Sequence, residues 1–172
     1  MSATNRGAKR RERDAYSTPY WCTEAIMGQL VIPEGSSVLE PCVGKEAIWE
    51  VLSRFFHEAD MDWFEIERGQ DFLNGLHGNT RYDFIITNPP FSLAQEFVDK
   101  SLSLANCVIM LLPQSFFGSQ GRKEWWQKHP PTAQFILSRR PSFTGDGRTD
   151  SEVYSWVVWD STGRQKHGWY WI

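Results

Sequence analysis

The chain has 172 residues, a formal net charge of −3, and 41% hydrophobic and 15% aromatic content, which is enough apolar material for one globular domain with a real core. That balance excludes a protein basic throughout, so any contact with nucleic acid has to come from a local patch. No apolar run approaches the ~20 residues of a membrane span, the N-terminal stretch lacks the apolar centre of a secretory signal, and Cys22, Cys42 and Cys107 lack metal-knuckle spacing. A cytoplasmic protein with reduced thiols, no membrane contact and no metal site is expected.

Residues 1–15 carry Arg6, Lys9, Arg10, Arg11 and Arg13 with almost nothing apolar. They read as a solvated, flexible tail, with a phosphate-contacting arm as the alternative. Residues 16–172 read as a single domain. Thr18 before Pro19 is placed to cap a helix from Trp21 to Leu30, and its hydroxyl could equally help hold a carboxylate at the helix start.

Ser36 to Leu39 reads as a short strand. It runs into Glu40-Pro41-Cys42-Val43-Gly44-Lys45 and then into a helix from Ala47 to about His57, where Ile48, Val51, Leu52, Phe55 and Phe56 recur at helical spacing. Strand, glycine turn and helix together bring a nucleotide-like ligand against backbone amides. Glu46 stands where a fuller glycine-rich loop would have its second glycine. Met61 to Glu67 reads as the next strand, with an acid near its end to take ribose hydroxyls. Glu65 is the first choice, and Glu67 is the alternative on the same face. Asp71 and Phe72 follow, either reading an adenine edge and covering its ring, or forming a capping Asp beside a core Phe.

Tyr82-Asp83-Phe84-Ile85-Ile86-Thr87 reads as a buried strand that ends at Asn88-Pro89-Pro90-Phe91. Two prolines remove two backbone donors and disfavour helix for the residue before each, so the chain leaves the strand through a stiff, extended corner. Such a corner offers the Asn88 side-chain carbonyl and the Pro89 main-chain carbonyl to the two hydrogens of a planar amine, with Phe91 as a stacking ring. It would activate a poor nucleophile by position and fixed dipoles rather than by titration. A plain strand-ending turn is the competing reading.

Beyond it come a helix through Leu93, Phe97, Val98, Leu102 and Ala105, a strand from Cys107 to Leu112 stopped by Pro113, and a short helix from Arg122 to His129. Strands at Ala133–Leu137 and Val153–Trp159 flank a Gly145-Asp146-Gly147 turn. The closing His167 to Trp171 reads as a short strand whose tryptophans serve the core or a dimer contact. Alternating strands and helices predict a mostly parallel sheet covered on both faces, with an antiparallel hairpin near the C-terminus. The carboxyl ends of its strands would gather the Glu40–Gly44 loop, Glu65, Asp71 and Asn88–Phe91 along one edge. Arg122, Lys123, Arg139, Arg140 and Arg148, with Phe116, Phe117 and Phe143, would add a basic, aromatic rim suited to phosphates and an extruded base.

Ser17-Thr18-Pro19-Tyr20-Trp21, Leu39-Glu40-Pro41-Cys42-Val43-Gly44, Asp71-Phe72, Asn88-Pro89-Pro90-Phe91, Arg140-Pro141-Ser142-Phe143 and Tyr154-Ser155-Trp156 occur in that order. As a set they resemble the phage-type adenine-N6 DNA methyltransferases, within the class I S-adenosylmethionine-dependent enzymes of Rossmann-like α/β fold. The resemblance implies S-adenosylmethionine as cofactor, with Thr18 and Gly44 near its methionine part, Glu40 among its binding residues, Glu65 on its ribose and Asp71 with Phe72 at its adenine. Asn88, Pro89, Pro90 and Phe91 would hold the target amine, and DNA, double- or single-stranded, would be the partner. Two departures stand out: Glu46 replaces the second glycine, and no separate target-recognition domain is present, so loose sequence selectivity or a homodimer supplying extra contacts is expected. Adenine in RNA, a protein glutamine amide, or cofactor and DNA binding without transfer are the alternatives.

Overall fold

A computed structural model describes residues 17–75, 80–143 and 149–172. The basic tail, the Gly145-Asp146-Gly147 turn and Arg148 lie outside the described residues.

The fold is built on apolar runs that bury both faces of one sheet. Strands β1 (Val38–Glu40), β2 (Met61–Trp63), β3 (Tyr82–Thr87), β4 (Ala105–Pro113), β5 (Ala133–Ile136), β6 (Tyr154–Asp160) and β7 (Gly168–Trp171) form seven strands in the order β2-β1-β3-β4-β6-β5-β7. β2, β1, β3 and β4 are mutually parallel. β6 lies antiparallel between β4 and β5, and β7 joins β5 in parallel. The expected antiparallel pair is therefore present, with its later strand inserted next to β4.

Successive side chains alternate between two cores. Phe84, Ile86, Cys107, Ile109, Leu111, Trp156 and Val158 face one, which is closed by Cys22, Ile26 and Met27 of helix α1 (Tyr20–Met27) and by Ile48, Val51 and Leu52 of α2 (Ala47–Leu52). Ile85, Val108, Met110, Leu112 and Val157 face the other, closed by Phe97, Val98 and Leu104 of α3 (Ala94–Leu104) and by Trp125 of α4 (Lys123–Lys128). Period-two alternation with both faces apolar is what continuous runs such as Cys107–Leu112 encode. No helix among the described residues is long and apolar enough to cross a membrane.

Several sequence expectations shift. β2 stops at Trp63, four residues short of the expected end, because β1 offers it only three partners. Glu65 instead starts a 3-10 turn, Ile66–Arg68, closed by Gly69 at φ 81°. α2 ends at Leu52, and of the two phenylalanines that follow, Phe56 is buried while Phe55 is 47% exposed. Thr18 does not cap α1: Pro19 occupies the cap position and no side chain bonds to the helix start. The terminal tryptophans are not core. Tyr170 turns inward to stack on Phe135 at 5.0 Å, so alternation leaves Trp169 and Trp171 outward, 71% and 69% exposed.

Trp156 is fully buried, and its indole N–H donates to the Cys22 carbonyl at 2.8 Å, tying α1 to β6. Trp156→Ala removes both packing and bond, and is expected to lower unfolding stability by about 3–5 kcal/mol, read by urea denaturation.

Candidate active site

At the carboxyl ends of β1, β2 and β3 the chain leaves the sheet in three adjacent turns, and hydrogen bonds join them. The Phe64 N–H donates to the Glu40 carbonyl and the Val43 N–H to the Phe64 carbonyl, each at 3.0 Å, which continues the β1–β2 pairing into the loop. The Gly44 N–H donates to Glu65 Oε2 at 2.6 Å and the Glu67 N–H to Glu65 Oε1 at 3.1 Å. Glu65 is thus a buried carboxylate fixed at both oxygens, whereas Glu67 is exposed and contributes only its backbone. Of the two candidate acids, Glu65 is the one the turn holds in place.

The loop itself takes left-handed backbone at Gly44 (φ 51°) and at Glu46 (φ 65°), the latter the one non-glycine residue with positive φ among the described residues. The position where a second glycine was expected keeps a glycine-like conformation without the glycine. Glu46 is held there by Arg68, whose Nη2 lies 2.5 Å from Glu46 Oε1 and whose guanidinium lies 5.0 Å above the Trp63 ring.

Glu40 is buried to 1% exposure, and one of its oxygens, Oε2, has no partner. Burial, then the nearby Glu65 and Glu46 charges, push its carboxyl well above the usual range against one opposing backbone hydrogen bond.

The Asn88 corner follows β3. Asn88 Nδ2 donates to Thr18 Oγ1 at 3.0 Å, and Thr18 is 3% exposed. With the amide thus oriented, Asn88 Oδ1 is buried and has no hydrogen-bond partner. The Cys42 thiol contacts Thr87 Oγ1 at 2.9 Å and donates to the Asn88 carbonyl at 3.2 Å. Burial pushes that thiol far above its ordinary value, so it stays a neutral S–H donor. One network therefore runs from α1 through Thr18, Asn88 and Cys42 into the Glu40–Gly44 loop. The importance of Cys42 and the true role of Thr18 were not legible from spacing, since both depend on contacts distant in sequence.

Pro90 sets up the 3-10 turn Phe91–Leu93, and Phe91 lies 5.6 Å from Tyr154 at a 35° tilt. Both rings, with Pro113, Phe116, Arg122 and Asp150, line a cavity of about 440 Å³. Tyr154 enters this wall because it pairs with Pro113 in the β4–β6 register, and its hydroxyl donates to Asp150 at 2.8 Å. Phe143 meets Tyr154 edge-on at 4.9 Å.

Asp71 and Phe72 take their competing reading. Asp71 accepts from the Leu73 backbone at 2.9 Å and from the Asn74 side-chain amide at 2.7 Å, bonds that lower its carboxyl below the usual range. Phe72 is 2% exposed, packed against Phe64 and Phe97. The Phe72 ring thus packs into the core in this structure. The apolar surface beside Glu65 is instead Ile66, 59% exposed, a residue that the strand reading of Met61–Glu67 hid. Of the expected rim, Lys123, Arg139 and Arg140 are exposed, Arg122 is half-buried over the Phe116 ring at 4.2 Å, and Arg139 lies over Trp21 at 5.1 Å.

No protein-family model and no curated protein matches the sequence. Solved structures do. The chain is similar to a protein from Listeria monocytogenes described as a class I S-adenosylmethionine-dependent methyltransferase, with a TM-score of 0.59 and 12% identity over 88% of this chain and 62% of that one. It is similar to a protein from Vibrio vulnificus described as a modification subunit of a type I restriction enzyme, with a TM-score of 0.63 and 16% identity over 91% of this chain and 47% of that one. A dimethyladenosine transferase from Plasmodium falciparum gives 0.51 and 13% over 84% and 62%. The fold is the Rossmann-like class I methyltransferase fold. This chain spans only 47% and 62% of the first two structures.

Two substitutions test the loop. Because folding raises the Glu40 pKa, its contribution is fully present below the unfolded pKa and is lost as pH rises through the folded one. Glu40→Gln should therefore stabilise the ligand-free protein increasingly as pH rises above the ordinary carboxylate range, seen in urea midpoints compared across pH. Left-handed backbone at a non-glycine costs roughly 1–2 kcal/mol and an exposed ion pair gives back about 0–1. Glu46→Gly is accordingly expected to gain about 0.5–1 kcal/mol in the same assay.

Proposed function

We propose that this protein is a phage-type S-adenosylmethionine-dependent DNA methyltransferase that methylates the N6 amine of adenine. The observation that carries the reading is the buried, unpaired Oδ1 of Asn88, held by Thr18 at the end of a buried strand. A buried acceptor left without a donor costs about 1–3 kcal/mol, so a fold that keeps one has a use for it.

The residues around Gly44 fit the cofactor. Glu65 is a fixed carboxylate for ribose hydroxyls, Ile66 is an apolar face beside it, and Gly44 lies in the loop whose Cys42 reaches the Asn88 carbonyl. Glu40 carries an unpaired carboxyl oxygen suited to a cationic methionine group. When bound, S-adenosylmethionine supplies an electrophilic methyl group on a sulfonium. The chain then has three tasks. The Phe91 ring, backed by Tyr154, offers a face against which the extruded base stacks. Asn88 Oδ1 and the Pro89 carbonyl accept the two amine hydrogens, drawing the nitrogen lone pair out of ring conjugation. Pro89 and Pro90 keep both acceptors rigid, so little reorganisation accompanies the step. Bound there, the cofactor would give up its methyl group and leave as the neutral thioether, while the amine held by Asn88 Oδ1 and the Pro89 carbonyl would release one proton to solvent. The Plasmodium falciparum neighbour's name, dimethyladenosine transferase, agrees with an adenine acceptor.

Asn88→Ala is expected to lower methyl transfer by at least about 10²-fold while leaving calorimetric affinity for S-adenosylmethionine unchanged. Labelled cofactor offered with DNA, RNA and protein side by side should mark DNA, with the label recovered as N6-methyladenine. Retained transfer in the variant would remove Asn88 from the reaction, and label in RNA or protein would reassign the acceptor.

A further inference from the structure

A second concavity, of about 560 Å³, opens beside α4 and the β5–β7 edge, with Phe117, Lys123, Trp126, Gln127, Gln134 and Trp169 among its lining residues. Nothing in the cofactor loop or the Asn88 corner uses it. One short loop nevertheless borders both cavities. Ser115, Phe116 and Arg122 line the Asn88-side cavity, while Phe117, Gly118, Ser119 and Lys123 line this one. A strand whose target base entered the first cavity would cross this loop to reach the second.

The lining is aromatic and rigid. Phe117 stacks on Trp126 at 4.6 Å and 9°, and Trp126 stacks on Trp159 at 6.1 Å and 10°, which makes a fixed column of rings. Trp169 faces them from β7, 71% exposed. Preordered rings offer stacking surface at low entropic cost. Lys123 is the one charged residue of the lining, is exposed, and makes no ion pair among the described residues. The indoles of Trp125 and Trp159 donate to Asp99 and to the His129 carbonyl, but the Trp126 N–H is buried without an acceptor. Flat rings, a single free cation and an unused donor match a nucleobase with its phosphate.

We infer that this groove binds nucleotides of the substrate strand next to the target base, stacking a base on the open Trp169 ring beside the Phe117–Trp126 column and pairing a phosphate with Lys123. The inference rests on the proposed methyltransferase reading, and it adds strand contacts made by this domain itself.

The test uses the full chain with a short adenine-containing single-stranded oligodeoxynucleotide and the matching duplex. Lys123→Ala and Trp169→Ala alter exposed side chains outside the cofactor and amine sites, so unfolding midpoints and calorimetric affinity for S-adenosylmethionine should stay at wild-type values. Each variant is expected to weaken oligonucleotide binding, followed by tryptophan fluorescence, by about tenfold, and to raise KM for DNA with little change in kcat. Lys123→Ala should also reduce the slope of log affinity against log salt by about 1. Unchanged affinity and KM in both variants, with wild-type transfer intact, overturns the groove alone. Oligonucleotide binding that depends on both residues in a protein that methylates no nucleic acid keeps the groove and removes the methyltransferase reading. A wild-type dimer that Trp169→Ala splits in sedimentation, with strand affinity untouched in the resulting monomer, gives the face to a second copy and overturns the proposal.

Discussion

The constraint on which the rest depends is the absence of a partner for one oxygen atom. β3 is buried along almost its whole length, and a chain leaving such a strand normally satisfies its polar groups at once. Asn88 satisfies only half of its amide: Nδ2 is fixed by Thr18 and Oδ1 is left open. Pro89 and Pro90 have no backbone N–H with which to relieve it, so local structure cannot fill the gap. The acceptor stays unpaired yet rigid, the condition that fixed-dipole activation of an amine requires.

The corner is also tied to its neighbours. The Cys42 thiol, kept protonated by burial, donates to the Asn88 carbonyl and touches Thr87. Its main chain belongs to the loop whose Gly44 N–H reaches Glu65. A ligand that displaces or reinforces the Gly44–Glu65 bond therefore acts on the same short loop that steadies Asn88. The two halves of the site are coupled through contiguous hydrogen bonds rather than through a moving domain.

What the sequence made legible follows from which forces are local. β3, β4 and the Asn88 corner were readable because long apolar runs and paired prolines act on their own residues, and the α/β architecture followed from their alternation with amphipathic helices. The length of β2 was not, because a strand lasts only as long as its neighbour, and β1 has three residues. Thr18 reads as a cap in isolation, yet its hydroxyl serves Asn88, 70 residues away. Phe72 and Trp169 show the same limit from opposite sides. Ring chemistry is identical in a core and on a surface, and only the packing of Phe64 and Phe97 around one, and the inward turn of Tyr170 beside the other, decides.

Charge separates along the site edge in a way that the net value of −3 conceals. Glu40, Glu46 and Glu65 cluster at the ends of β1 and β2, close enough that burial and the neighbouring charges push the Glu40 carboxyl well above its usual range. Arg122, Lys123, Arg139 and Arg140 lie beyond β4 and β5. A cationic centre at the acidic end would lower the cost of crowding these carboxylates. A polyanion is favoured at the opposite end and repelled from the first.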